Sequence, residues 1–120
     1  TLVCTVPYTP KTHNLLSEKL FKQLQNPTYL INVARGKVQN EVDIINAVNT
    51  GILTGAFLDV FEKEPLPTSS PLWSHNKIKI TPHIASVTNA DAGAKQIIEN
   101  YRRYIKNEKL MNEVNLDKGY

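Results

Sequence analysis

Three side chains with complementary chemistry are spread along the chain, namely Arg35, Glu64 and His83. A guanidinium can bind a carboxylate through two parallel hydrogen bonds, which fixes its orientation as well as its charge. An imidazole exchanges protons near neutral pH, and a carboxylate can hold it in one tautomer, as the third group of a catalytic triad does. These residue types predict a site that binds a small acid and moves a proton.

Each of these residues also has an ordinary interpretation when it is considered alone. Arg35 can be a surface arginine, because most arginines are exposed, and His83 can be a hydrogen-bonded loop residue. Asp59 is a further candidate, which could accept a hydrogen bond from a bound amide, although aspartate is also common in caps and turns. The prediction of a site therefore depends on where the chain brings these residues.

Four apolar segments predict strands at residues 1–6, 28–34, 52–60 and 77–81. Helical patterns lie between the first three, so the order predicts an α/β fold with a parallel sheet. In such sheets the carboxyl ends of the strands open on one crevice, where ligands bind. Arg35, Asp59 and His83 each lie at the end of a predicted strand, and we therefore expect them to converge.

The predicted helices have recognisable starts and apolar faces. The first begins at Ser17 and is broken at Asn26-Pro27, with Leu20, Phe21 and Leu24 on one face. The second begins at Asn40 and closes at Gly51, with an apolar stripe of Val42, Ile45 and Val48. Thr88, followed by Asp91, approximates a capping box for a third helix to about Asn107, whose expected buried residues are Ile97, Ile98, Tyr101 and Ile105.

Composition narrows the class of protein. The 14 basic and 11 acidic residues are scattered, which predicts no nucleic-acid surface, and no apolar run is long enough to span a membrane. Cys4, the one cysteine, is predicted to be buried and inert, which fits a cytoplasmic protein. Metal binding fits poorly, because the sequence has no His or Cys pair at ligand spacing and Arg35 would repel a cation. Trp73 is interpreted as a loop anchor packed on the domain.

Several segments resemble signatures of the D-isomer-specific 2-hydroxyacid dehydrogenases, and they follow in the same order. The likeness runs from Thr1 to about Asn107, and within the family it is closest to the glyoxylate/hydroxypyruvate reductases through Lys37-Val38-Gln39 and Ser70-Pro71-Leu72-Trp73. The matching segments are Pro7-Tyr8-Thr9-Pro10-Lys11-Thr12, Leu30-Ile31-Asn32-Val33-Ala34-Arg35-Gly36, Leu58-Asp59-Val60-Phe61 through Glu64-Pro65-Leu66-Pro67, and Thr81-Pro82-His83-Ile84-Ala85.

The resemblance implies a role for each matching residue. Arg35 would bind the carboxylate of a small 2-oxo acid, His83 would protonate its carbonyl oxygen, and Glu64 would keep His83 protonated. Hydride would come from NADPH or NADH, and the product would be the D-2-hydroxy acid. The positions implied to lie against this cofactor are Pro7, Thr12, Val33, Ala34, Arg35, Asp59, His83 and Ala85.

The chain departs from the family pattern in one large respect. It has five glycines but no G-x-G-x-x-G fingerprint, and no substrate-binding domain is recognisable. We therefore expect the second half of a Rossmann-type doubly wound sheet over residues 1–87, a C-terminal helix over 88–107 and a tail over 108–120. Such an incomplete domain would be inactive by itself, and the sequence does not decide between NADH and NADPH.

Two other hypotheses stay open at this point. The chain can be a non-catalytic dinucleotide-sensing or corepressor-like module, although the presence of Arg35, Glu64 and His83 argues against lost chemistry. It can also be a structural half-domain whose sheet edge at residues 1–6 pairs with another chain, because unpaired edges invite pairing. The resemblance itself implies a homodimer for the full-length protein.

Overall fold

The computed structural model describes residues 1–87 and 89–119. It divides into two compact units, Thr1–Ala85 and Ser86–Tyr120. The first unit is built on a four-stranded parallel sheet in the order β1-β2-β3-β4, which confirms the predicted α/β fold class. Its strands are β1 (Leu2–Cys4), β2 (Thr28–Asn32), β3 (Leu53–Leu58) and β4 (Ile78–Ile80).

The inner strands β2 and β3 carry the core of the first unit. Leu30 of β2 and Ala56 and Leu58 of β3 are fully buried. Helix α2 (Glu41–Asn49) packs on β3 and buries Ile44 and Val48. Each such aliphatic side chain contributes about 1.5–3 kcal/mol when it is removed from water. This buried core fixes the positions of β2 and β3, and with them the loops that follow their carboxyl ends.

Helix α2 begins as the sequence predicts. The Asn40 side chain accepts a hydrogen bond from the Asp43 amide at 3.0 Å, and Gly51 follows the helix with a φ of 80°. The prediction that Val42 belongs to the buried stripe is wrong, because Val42 is 66% exposed. The buried face of α2 lies instead along Ile44, Ala47 and Val48.

The first helix is much shorter than expected. Helix α1 (Glu18–Phe21) is a single turn, and the Ser17 side chain makes no capping hydrogen bond. The free amide of Glu18 instead donates to the Asp43 carboxylate on α2 at 2.9 Å. Phe21 is buried as predicted, whereas Leu20 and Leu24 are partly buried against the core.

The second unit contains helix α3 (Ala90–Ile105), capped by Asn89, whose side chain accepts from the Ala92 amide at 3.0 Å. The predicted cap at Thr88 lies outside the described residues. The prediction of a buried face on α3 is wrong in this structure, because its apolar side chains are 51–72% exposed, namely Ile97, Ile98, Tyr101 and Ile105. The helical spacing of these residues indicates an apolar face but does not say what covers it.

The segment after α3 folds back on it through polar contacts. The Asn100 side chain donates through its NH₂ group to the Met111 backbone carbonyl at 3.1 Å. Its side-chain oxygen accepts from the Met111 backbone amide at 2.8 Å. Arg103 pairs with Glu99 at 3.0 Å. Within the described ranges, none of the helices is long and apolar enough to cross a membrane.

Candidate active site

The carboxyl ends of β2, β3 and β4 bring three candidate residues to one edge of the sheet. Arg35 lies three residues after β2, Asp59 directly follows β3, and His83 lies three residues after β4. A hollow of about 260 Å³ opens at this edge. It is lined by Tyr8, Arg35, Gly36, Lys37, Phe61, Glu62, Glu64 and His83. The structure thus gathers Arg35, Glu64 and His83, which are far apart in sequence, around one space.

Glu64 and His83 are in direct contact. The Nδ1 atom of His83 lies 2.8 Å from Oε2 of Glu64. Because an ionised carboxylate only accepts hydrogen bonds, Nδ1 is the donor. In the described part of the chain, Nε2 of His83 has no hydrogen-bond partner. The carboxylate therefore selects one tautomer and leaves the second ring nitrogen available to a bound molecule.

The other oxygen of Glu64 is also fixed. Oε1 accepts a hydrogen bond from the Phe61 amide at 2.9 Å. Partial burial raises the pKa of the Glu64 carboxyl, and the Asp59 charge does the same to a smaller extent. The hydrogen bonds from His83 and Phe61 and the His83 charge outweigh both, so the pKa lies below its ordinary value. Glu64 is thus ionised at neutral pH. The peptide bond between Glu64 and Pro65 is cis.

Asp59 holds the His83 loop. Its carboxylate accepts from the Thr81 hydroxyl, from the Ile84 amide at 2.9 Å and from the Ala85 amide at 2.9 Å. Its backbone carbonyl accepts from the His83 amide at 2.8 Å. Burial raises the pKa of the Asp59 carboxyl, but these hydrogen bonds and the His83 charge lower it further, so the net shift is downward.

The Asp59 contacts explain an unusual backbone at His83. His83 has a φ of 54°, a left-handed conformation that costs a non-glycine residue about 1–2 kcal/mol. The four hydrogen bonds to Asp59 span the loop on both sides of His83 and offset this cost. Asp59 thereby directs the imidazole toward Glu64. This role was not expected from the sequence, which suggested an acceptor for a bound amide.

Arg35 is exposed and lies on a loop that packs closely against Phe61, in the segment after β3. Its Nη1 donates to the neighbouring Ala34 carbonyl at 2.7 Å. The next residue, Gly36, is buried, and a Cβ there would lie 1.7 Å from the Phe61 carbonyl oxygen. Only glycine allows this approach. In the part of the chain that the structure describes, Arg35 forms no salt bridge, so its guanidinium can receive an anion.

The other positions predicted to contact a cofactor are not among the residues that line the 260 Å³ hollow, and their polar groups are largely engaged. The Thr12 hydroxyl donates to the Pro7 carbonyl at 2.8 Å. The amide of Val33 donates to the Cys4 carbonyl at 3.2 Å, and that of Ala34 donates to the Asn32 side chain at 3.0 Å. Ala85 is exposed, and its amide is held by Asp59. Pro7 and Ala85 are exposed and can offer apolar surface to a ligand, whereas Ala34 is buried.

Two buried amides near Arg35 were not identified as site residues from the sequence. Asn32 is fully buried and Gln39 is 1% exposed. They are joined by a hydrogen bond of 2.7 Å. An asparagine inside an otherwise apolar strand was the available signal, because a buried amide requires hydrogen-bond partners.

A second hollow of about 520 Å³ shares Phe61, Glu64 and His83 with the first. Trp73, interpreted from the sequence as a loop anchor packed on the domain, lines this hollow and is 56% exposed. The Trp73 Nε1 donates to the Pro67 carbonyl at 2.9 Å, and the neighbouring Leu72 is buried with 1% exposure. Cys4 is buried, as expected, and burial raises the pKa of its thiol.

No group of three or more His, Cys, Asp or Glu side chains that could hold a metal ion occurs within residues 1–87 and 89–119.

Comparisons with known proteins agree with this architecture. The model of the family described as "D-isomer specific 2-hydroxyacid dehydrogenase, NAD binding domain" matches residues 1–85. A glyoxylate/hydroxypyruvate reductase A of Photorhabdus laumondii is 44% identical over 119 residues, which cover 99% of this chain and 38% of that protein. A reductase of the same name from Escherichia fergusonii is 41% identical over the same length and share.

Solved structures give the same result. A D-isomer-specific 2-hydroxyacid dehydrogenase from Xanthobacter autotrophicus, in complex with NADPH and MES, superposes with a TM-score of 0.93 at 42% identity. The match covers 98% of this chain and 49% of that one. An NADPH-dependent glyoxylate/hydroxypyruvate reductase from Sinorhizobium meliloti, in complex with NADP and sulfate, gives a TM-score of 0.92 at 34% identity, with 99% and 39% covered. The chain thus spans less than half the length of these relatives.

Proposed function

The chain belongs to the D-isomer-specific 2-hydroxyacid dehydrogenase family, and on that premise we propose that it supplies the proton-transfer and carboxylate-binding half of a 2-oxo acid reductase. The complete protein that carries this chain would reduce a small 2-oxo acid of the glyoxylate or hydroxypyruvate type to the D-2-hydroxy acid. Its hydride donor would be NADPH or NADH, and relatives crystallised with NADPH or NADP support the former.

Arg35 would bind the substrate carboxylate. Its guanidinium is exposed beside the 260 Å³ hollow and has the planar donor pair that a carboxylate accepts. Because the keto group of a 2-oxo acid is adjacent to the carboxylate, this binding also fixes the carbonyl oxygen. The guanidinium would polarise that carbonyl while holding the acid.

His83 would donate the proton that the carbonyl oxygen requires. When bound, the nicotinamide supplies a hydride to the carbonyl carbon, so reduction of the ketone to an alcohol consumes one proton in addition. Nε2 of His83 faces no protein partner in the described residues, and Nδ1 is held by ionised Glu64. Glu64 would stabilise the charged imidazole before transfer and keep it in position afterwards.

The residues at the strand ends fit the nicotinamide end of a cofactor. The Asp59 carboxylate has about four acceptor positions and uses three of them, which leaves one for a carboxamide N–H. Backbone groups around Val33 and Ala34 would complete this contact, and Ala85 would also lie against the cofactor. Pro7 and Thr12 would lie beside the adenosine and ribose. The pyrophosphate of the cofactor has no counterpart here, because the sequence has no glycine-rich turn to receive it.

The proposal also covers the domain organisation of the chain and the setting of the complete protein. We propose domain boundaries at residues 1–87, 88–107 and 108–120, with the isolated chain inactive. The complete protein would be a cytoplasmic homodimer that binds neither nucleic acid nor membrane, and sedimentation of that protein would test the dimer.

The observation that carries the proposal is the 2.8 Å Glu64–His83 contact on the hollow that Arg35 also lines. The test is steady-state reduction of a panel of 2-oxo acids by the complete protein, with NADPH and NADH compared. Turnover of glyoxylate or hydroxypyruvate is the expected result. Tight dinucleotide binding without turnover of any 2-oxo acid would favour a sensing module and overturn the proposal.

A further inference from the structure

A directed chain of hydrogen bonds runs beneath the Arg35 loop. It starts at the Ala34 amide, which donates to the Asn32 side-chain oxygen at 3.0 Å. The Asn32 NH₂ donates to the Gln39 side-chain oxygen at 2.7 Å, and the Gln39 NH₂ donates to the Val60 carbonyl at 2.9 Å. The two amides thus connect the residue before Arg35 to the segment directly after Asp59.

The direction of this chain is fixed by its ends. A backbone N–H at Ala34 can only donate, and a backbone carbonyl at Val60 can only accept. Both amides must therefore place their oxygens toward Ala34 and their NH₂ groups toward Val60. Because Asn32 and Gln39 are 0% and 1% exposed, water cannot replace a lost partner. Gln39 is consequently constrained in chemical type as well as in size.

A backbone contact closes the other side of the same loop. Gly36 lies so close to Phe61 that a Cβ would meet its carbonyl oxygen at 1.7 Å. The Phe61 amide in turn donates to Glu64 Oε1 at 2.9 Å, and Glu64 Oε2 accepts from His83. The segment at residues 60–61 therefore contacts the Arg35 loop through Gln39 and Gly36, and it contacts the imidazole through Glu64.

We propose that Gln39 is a positioning residue that sets the separation between the Arg35 guanidinium and the His83 imidazole. It does so by tying the Arg35 loop to the Val60 carbonyl. The inference rests on the proposed function, because the two groups need a defined separation only if they act on one substrate. Among the described residues the Gln39 side chain bonds only Asn32 and the Val60 carbonyl, so its effect on carboxylate binding would pass through the loop that carries Arg35.

The test is the kinetics of Gln39→Leu in the complete protein, with glyoxylate as substrate and NADPH as donor. The variant removes both side-chain hydrogen bonds and frees the loop. We expect the KM for glyoxylate to rise about tenfold or more, since a misplacement of about 1 Å can cost ~100-fold in rate. The KM for NADPH should stay within about twofold, because the Asp59 contacts are untouched.

Two controls separate positioning from stability. Val48→Ala opens a small cavity beside α2 without removing either side-chain hydrogen bond of Gln39, and should lower Tm without changing the KM for glyoxylate. In an Arg35→Ala background, Gln39→Leu should add no further increase in that KM, because its effect acts through the missing guanidinium.

The outcomes are distinct. The positioning role is overturned if Gln39→Leu lowers Tm but leaves the KM for glyoxylate within about twofold. It is also overturned if Gln39→Leu raises that KM by its full factor in the Arg35→Ala background. Gln39→Glu is measured in parallel; it retains the acceptor for Asn32 and loses the donor to Val60, so the same selective rise is expected. Failure of both variants to fold would assign Gln39 to stability alone. A parent protein without turnover would instead remove the proposed function, and this inference with it.

Discussion

Nδ1 of His83 donates a hydrogen bond to Oε2 of Glu64 over 2.8 Å, although 19 positions separate the two residues in sequence. Both residues lie in loops, outside the helices and strands, so other residues must hold them in place. Phe61 fixes the carboxylate through a backbone amide, and Asp59 fixes the loop that presents the imidazole. Residues 59–61, directly after β3, therefore hold both partners of the pair in position.

Glu64→Gln should lower kcat in the complete protein. A neutral amide can still accept from Nδ1, but it does not stabilise the charged imidazole that donates the proton. We expect a loss of about 10-fold to 10⁴-fold, the upper end being the cost of the equivalent change in a serine protease triad. Steady-state kinetics would check this, with Glu113→Gln, which removes an exposed carboxylate of the second unit, as the control. An unchanged kcat would rule out the orienting role.

The stability of the chain should depend on pH through Glu64 and Asp59. Both carboxyls have a folded-state pKa below the ordinary value. Their contribution to stability is therefore complete above the unfolded pKa of about 4 and is lost as pH falls through the lower folded pKa. Urea unfolding of the 120-residue chain at a series of pH values should show this loss. Glu64→Gln and Asp59→Asn should each flatten the acid limb, and an unaltered acid limb in both would contradict the assignment.

Gly36→Ala should destabilise the first unit strongly. The added Cβ would overlap the Phe61 carbonyl, so the Arg35 loop and the segment after β3 must separate, at a cost of about 3 kcal/mol or more. The matched control is Gly93→Ala in α3, where nothing lies within 4 Å of the added Cβ, and helix propensity predicts a gain of about 0.5–1 kcal/mol. Urea denaturation measures both. Similar effects from the two variants would show that the close approach at Gly36 is unimportant.

The isolated 120-residue chain should bind NADPH much more weakly than the complete protein. It offers partners to the nicotinamide end, but its sequence has no glycine-rich turn for the pyrophosphate. Equilibrium dialysis of both proteins under the same conditions would measure the difference. Tight binding by the chain alone would mean that the strand-end residues hold the whole dinucleotide.

The parallel sheet and the convergence of Arg35, Asp59 and His83 follow from the sequence, because strand ends in such sheets share an edge. The pairing of Glu64 with His83 is implied by the family resemblance. The network around Asp59 does not follow from the sequence, since it consists of backbone amides whose positions depend on the left-handed turn at His83.

Two other features that the sequence did not predict have the same physical origin. The periodicity of α2 places Val42 near its apolar stripe, but the orientation of the helix on β3 leaves that side chain 66% exposed. The hydrogen bond between Asn32 and Gln39 was not predictable, because the sequence shows that both side chains are polar but not which groups they bond. Sequence patterns specify which faces are apolar, and tertiary packing decides which groups meet.

The most direct test of the account is a side-by-side kinetic analysis of Arg35→Met and His83→Asn in the complete protein. Asparagine is chosen because it tolerates the positive φ at position 83. Arg102→Met, on α3, is the control for the loss of a positive charge.

We expect Arg35→Met to raise the KM for glyoxylate about 10- to 100-fold, since it removes charged hydrogen bonds to the carboxylate. His83→Asn should lower kcat about 10²- to 10⁴-fold with cofactor affinity nearly unchanged, because proton donation is lost. Equal and small effects of both substitutions, no larger than that of Arg102→Met, would contradict the central claim that these residues form one catalytic site.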